Sequence, residues 1–177
     1  MADQKQFNGT VNFKGTTNID AGVRIKEKYV EPVFTAATTH TDGATFVKNT
    51  LNFINVTATK TFNLPAAATS TKGDVVIVKY INTVANSAVH TYDTDAAGFG
   101  VQSGIVVSQN AASGQVFAAV APLNATSDEL KLTGAANAGI GIGTQLYFAF
   151  DGTYWYVHHG EVYQKGDGSA NPTVAFS

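Results

Sequence analysis

The chain has 177 residues, enough for one domain with a real core and too few for a multidomain enzyme. It is 44% hydrophobic and only 14% charged, against about 25% in an average soluble domain, and its formal net charge of -2 argues against binding driven by phosphate neutralisation. Cys 0 excludes disulfides, thiol catalysis and cysteine–zinc sites; no apolar run approaches the ~18 residues of a membrane helix, and Met1 to Gln6 lack the apolar stretch of a secretory signal.

The N-terminal stretch obeys its own rule. In blocks of six, residues 7–30 begin with Phe7, Phe13, Ile19 and Ile25, always large and apolar. The fifth positions are Val11, Thr17, Val23 and Tyr29, and glycines recur between them. A hexapeptide period is the signature of a β-helix or β-solenoid, in which each repeat buries its apolar residue only against its neighbours. So short an array buries too little surface to offset an ordering entropy of roughly 1–2 kcal/mol per residue. Either several chains wind together or the segment lies on another protein. The plain alternative is a Gly/Asn/Thr-rich tail with an accidental spacing. Both readings make residues 1–33 an arm or stalk, with Pro32 as hinge, and residues 34–177 a separate head. Nine of the 11 basic residues precede Tyr80, so the arm is able to meet an acidic protein surface; ordinary solvated lysines that protect strand edges explain the same bias.

The head reads as all-β. Its apolar residues are mostly Val, Ile, Phe and Tyr, which suit pleated, half-buried surfaces. Strands are predicted at Thr45–Val47, Leu51–Val56, Thr61–Leu64, Asp74–Ile81 and Val89–Tyr92, then at Gly104–Val107, Gln115–Val120, Glu129–Leu132, Gln145–Phe150 and Tyr154–His158. Val75 to Val78 form a continuous apolar run, the pattern of a strand buried on both faces. Asp151-Gly152-Thr153 between two aromatic runs marks a hairpin. One helical turn is predicted near Thr126–Glu129, where a hydroxyl would cap free N–H groups. The Ala66–Ala68 run reads as a loop, because Pro65 precedes it and Thr69-Ser70-Thr71 follow.

Signals for chemistry are weak. Gly100-Val101-Gln102-Ser103-Gly104 has the wrong spacing for a nucleophile elbow. His158 and His159 are adjacent, so in a regular strand they point to opposite faces and do not share one metal ion without a bulge. His40 and His90 are isolated. Asp93 and Asp95 share a strand face and are candidates for calcium or for a glycosidase pair, but Tyr92 to Gly98 also reads as a loop with Asx-turns. Gly139-Ile140-Gly141-Ile142-Gly143 lacks the spacing of a nucleotide loop. In a strand it would put Ile on one face and bare backbone on the other, for close approach of a neighbouring strand or chain. No cofactor is implied. In the C-terminal hairpin Trp155 and Val157 share one face, and Tyr154, Tyr156 and His158 share the other. One set is core, and the other is a candidate interface or glycan surface.

Three segments carry a resemblance. Phe62-Asn63-Leu64-Pro65-Ala66-Ala67-Ala68, Gly73-Asp74-Val75-Val76-Ile77-Val78-Lys79 and Asp151-Gly152-Thr153-Tyr154-Trp155 together resemble a module of tailed-phage virion proteins. That module recurs in capsid decoration proteins, head fibres and tail fibres, and the resemblance spans roughly residues 45–160. It implies a β-sandwich or jelly-roll-like head, trimeric, on a thin stalk. The expected function is that of a non-enzymatic, homotrimeric decoration or head-fibre protein on the virion surface, assembled in the host cytoplasm. Its partners would be its own copies and the major capsid protein or another virion protein, reached through the arm, with neither nucleic acid nor membrane involved. Phe7, Val11, Phe13, Ile19, Val23 and Ile25 would form the arm or trimer seam. The alternative is a tail-fibre or receptor-binding module that recognises host glycans through Tyr154, Tyr156 and His158. A small polysaccharide-degrading spike, with Asp93 and Asp95 as its acids, is the least favoured reading.

Overall fold

A computed structural model describes residues 37–95, 97–101, 103–111, 114–120, 127–134, 138–166 and 173–177. The chain divides into two units, Met1–Val33 and Phe34–Ser177, and every described residue belongs to the second. The hexad positions Phe7, Val11, Phe13, Ile19, Val23 and Ile25 lie outside the described residues.

The described residues form β-strands with almost no helix. In chain order the strands are β1 (Ala37–His40), β2 (Leu51–Ile54), β3 (Lys60–Asn63), β4 (Val75–Tyr80), β5 (Val89–Asp93) and β6 (Ile105–Ala111). They continue with β7 (Gly114–Val120), β8 (Glu129–Thr133), β9 (Ala138–Ile140), β10 (Gln145–Phe150), β11 (Trp155–Gly166) and β12 (Thr173–Phe176). A larger sheet runs β1-β2-β4-β10-β11-β6-β7, with β9 also pairing β11, and a smaller one runs β12-β8-β5-β3. Both are mixed. β1, β2 and β4 are parallel neighbours, whereas β4, β10 and β11 are antiparallel. In the smaller sheet β3 and β5 are parallel, while β8 is antiparallel to β5 and to β12.

One hydrophobic cluster draws on both sheets. Val76, Val78, Leu146, Phe148 and Trp155 enter it from the larger sheet, and Phe62, Tyr92, Leu130 and Leu132 from the smaller. The Tyr92 and Phe148 rings meet 5.7 Å apart, and Phe46 stacks on Phe62 at 5.3 Å. Alternation along β4 and β10 sends every second residue into this cluster. Val75 and Ile77 are therefore only half-buried, and the run is buried on one face rather than both.

Other departures have local causes. Thr45–Val47 is not a strand; only Thr45 bridges to Asn63. The buried Asn52 side chain takes over the Val47 backbone, accepting its N–H at 3.0 Å and donating to its carbonyl at 2.9 Å, so these groups are lost to a ladder. The helical turn expected at Thr126–Glu129 is replaced, in its described part, by irregular chain leading into β8. The N–H groups of Asp128 and Glu129 both donate to the Ser177 carbonyl, at 2.9 and 3.1 Å. The alanine run holds a single 3-10 turn, Ala67–Thr69, closed by the Thr69 N–H and the Thr69 and Ser70 hydroxyls on the Ala66 carbonyl. β1 and β9 carry little sequence signal, being short and poor in large apolar residues, whereas β12 does alternate Val174 and Phe176 but spans only four residues.

Candidate binding groove beside the Asp151 turn

The hairpin between β10 and β11 pairs Phe150 with Trp155 and leaves residues 151–154 as the turn. Gly152 has φ 105°, a conformation glycine adopts without strain. Asp151 organises the turn: its Oδ1 accepts the N–H groups of Thr153 and Tyr154, each at 2.7 Å, and the Tyr156 hydroxyl lies near enough to favour its ionised form. Burial pushes the Asp151 carboxyl up, but the Tyr154 and Thr153 N–H groups, the Tyr156 hydroxyl and nearby Lys72 outweigh it, so Asp151 stays below the usual carboxylate range. Burial and then the neighbouring Asp151 carboxylate raise the Tyr156 phenol.

A groove of about 490 Å³ opens here. Its walls come from Ala149 and Phe150 at the end of β10, Asp151 in the turn, Tyr156 and His158 on β11, and Gly104 beside them. Gly100 sets the position of Tyr156: a Cβ at Gly100 would fall 2.1 Å from the Tyr156 ring. A β-bulge sets that of His158. The β10–β11 register passes from Tyr147↔His159 to Phe148↔Val157, so His158 is the extra residue. Its exposed ring meets Tyr147 edge-on at 5.9 Å. The bulge also leaves both His158 and His159 exposed, whereas a regular strand would send them to opposite faces.

Trp155 and Val157 face the core, 0% and 1% exposed. Tyr154 precedes β11 and belongs to the turn, close enough to Tyr156 to act on it electrostatically. Sequence reasoning singled out Tyr154, Tyr156 and His158 but missed Asp151, which reads as an ordinary turn former. It also missed Gly100, whose role depends on a ring 56 residues away in sequence.

The remaining candidates are structural. Ser103 is buried, and its Oγ accepts the Val157 N–H at 3.0 Å. Asp95 lies in a turn with φ 50° and donates its N–H to Asp93 Oδ1 at 2.8 Å. The pair is thus an Asx-turn after β5, not two residues on one strand face, and it borders a second depression with Asn63 and Pro65. His40 and His90 are core residues: His40 Nε2 bonds Asn52 Oδ1 at 2.9 Å, and both ring nitrogens of His90 are engaged. Among the described residues no three His, Asp or Glu side chains come together as a metal-binding group. β9 ends at Ile140, so Gly141–Gly143 is a turn; Ile140 is buried and Ile142 is 60% exposed, against the expectation that the two share a face. The expected close approach occurs at Gly139, which lies against the Val84 carbonyl.

No family model, curated protein or solved structure matches the chain.

Proposed function

We propose that the protein is a non-enzymatic structural protein of a tailed-phage virion, a homotrimeric decoration or head-fibre protein on the particle surface. In this reading residues 34–177 are a β-sandwich, jelly-roll-like head, and residues 1–33 anchor it to the major capsid protein or another virion protein. The observation that carries the reading is that Trp155 Nε1 donates to the Pro65 carbonyl at 3.1 Å. Pro65 belongs to the Leu-Pro-Ala segment and Trp155 to the Asp-Gly-x-x-Trp segment, the two ends of the pattern on which the resemblance rests. The middle segment meets them: Gly73 N–H donates to the Phe150 carbonyl and Phe150 N–H to the Asp74 carbonyl, both at 2.9 Å. Three segments far apart in sequence thus build one structural unit, which supports reading them as a module rather than as chance matches.

The test is the mass of the full-length protein by light scattering, with Phe13→Asp alongside. A trimer weakened by Phe13→Asp, with the head still folded, is the expected result. A monomer that also fails to associate with phage heads would overturn the reading. The alternative, a receptor-binding module for host glycans, draws its support from the groove beside Asp151.

A further inference from the structure

We propose that this groove is a binding site for a neutral saccharide ring, with Asp151 and the Tyr156 hydroxyl as its polar contacts and Tyr156 and His158 as its ring platform. The inference deepens the receptor-binding alternative and does not depend on attachment to a shell.

Three features point to this class of ligand. The volume of about 490 Å³ falls in the ~300–1,000 Å³ range of small-molecule sites. The polar groups are already oriented: two backbone N–H groups hold Asp151 Oδ1, and Tyr156, seated on Gly100, carries its hydroxyl on the same groove wall. A carboxylate so fixed accepts hydroxyl protons from a ligand without having to be ordered first, which lowers the entropic cost of binding. The ring groups are fixed as well, Tyr156 by its close seat on Gly100 and His158 by the bulge and its contact with Tyr147. A pyranose offers what such walls take, hydroxyls for the carboxylate–phenol pair and C–H faces for the rings.

Charge selects the neutral sugar. Among the described lining residues Asp151 is the one carboxylate, and none is Lys or Arg. Lys72 acts on Asp151 from beside the turn, where a Cβ at Gly152 would lie 3.7 Å from its Cβ. A uronic or sialic acid would bring its carboxylate against Asp151 with no lining cation to receive it.

The experiment is saturation-transfer NMR on the full-length protein with methyl pyranosides of glucose, galactose, mannose and N-acetylglucosamine, and with glucuronate and sialyllactose. Saturation of at least one neutral pyranoside is expected, with affinity roughly tenfold weaker in Tyr156→Phe, which removes only the hydroxyl, and in His158→Ala, at an exposed position. Asp151→Asn is expected to weaken binding further, but it also touches the turn, so the first two variants decide. No saturation of any neutral sugar, saturation by the acidic sugars alone, or affinity unchanged in both deciding variants would each overturn the proposal. The mass of the same samples separates the two readings. Sugar binding by a monomer keeps the groove and removes the trimer; a trimer that binds no sugar does the reverse.

Discussion

The Tyr80 hydroxyl donates to His90 Nδ1 at 2.9 Å, joining β4 of the larger sheet to β5 of the smaller one inside the core. The direction follows from the other end of the ring. His90 Nε2 lies 2.9 Å from the Ala58 carbonyl, which only accepts, so Nε2 carries the proton and Nδ1 is the acceptor. The Tyr92 hydroxyl completes the chain by donating to Tyr80. His90, Tyr80 and Tyr92 are all 0% exposed, and the chain satisfies each of them only while the imidazole is neutral.

Acid should therefore weaken the fold through His90. Burial lowers its pKa from 6.5 to about 4, against a smaller opposing effect of the Ala58 hydrogen bond. The unfolded chain binds this proton first, so stability is fully present above pH 6.5 and is lost as the pH falls towards about 4, by at most about 3 kcal/mol. Asp74, held near 2 by its hydrogen bond from Lys48, keeps its stabilising contribution above its ordinary 3.8 and loses it only as the pH falls from there towards 2, below that window. Melting temperature measured from pH 7.5 to 4.5 should fall in the wild type and lie nearly flat in His90→Gln, which starts lower. An equal slope in both proteins would assign the effect to other groups.

Trp155→Ala should be among the most damaging single changes, costing about 3–5 kcal/mol, as buried aromatic truncations do. Trp155→Phe keeps a ring against Phe150, 5.1 Å away in the wild type, but loses the donor to Pro65. Its cost should be smaller, about 1–3 kcal/mol. Urea unfolding of the two variants gives both values, and a near-neutral Trp155→Ala would contradict the core assignment.

Asn52→Ala should loosen the 47–50 loop. Besides holding both Val47 backbone groups, the Asn52 side chain accepts from His40 and donates to the carbonyls of Thr50 and Ile77, at 3.0 and 3.3 Å. Removing it strands several buried partners at about 1–3 kcal/mol each, less whatever water recovers. Hydrogen exchange at the Val47 amide should accelerate more than at β4 amides. Uniform acceleration would mean global destabilisation instead.

Two glycine substitutions should part company. A Cβ at Gly139 would sit 1.9 Å from the Val84 carbonyl oxygen, and the Val84 N–H to Ile140 carbonyl bond at 3.0 Å ties the two segments together. Gly139→Ala should lower stability by about 2 kcal/mol or more. A Cβ at Gly104 meets nothing within 4 Å, and Gly104→Ala should stay within about 0.5 kcal/mol. Thermal melts of the pair check this directly, and similar losses at both sites would sink the distinction.

Most of the strands were legible because alternation and β-branched runs are local signals: β2, β4, β5, β8 and β10 lie where Val, Ile, Leu and Tyr alternate or cluster. Short strands such as Ala138–Ile140 left no trace, since they exist only through the strand they pair with. The β10–β11 hairpin could be read from Asp151-Gly152, yet the bulge that turns His158 outward could not, because register belongs to two strands at once.

The residues by themselves determined an all-β head without cysteine chemistry, an aromatic hairpin, and that Trp155 and Tyr156 lie on opposite faces of it. Tertiary structure alone decided that Val47 surrenders its backbone to Asn52, that His40 and His90 are core residues, and that Gly100 seats the Tyr156 ring. The reason is one of range. Side-chain periodicity is set by the chain's own geometry, whereas a hydrogen bond from Trp155 to Pro65 or the seat of the Tyr156 ring on Gly100 exists only once distant segments have been brought together.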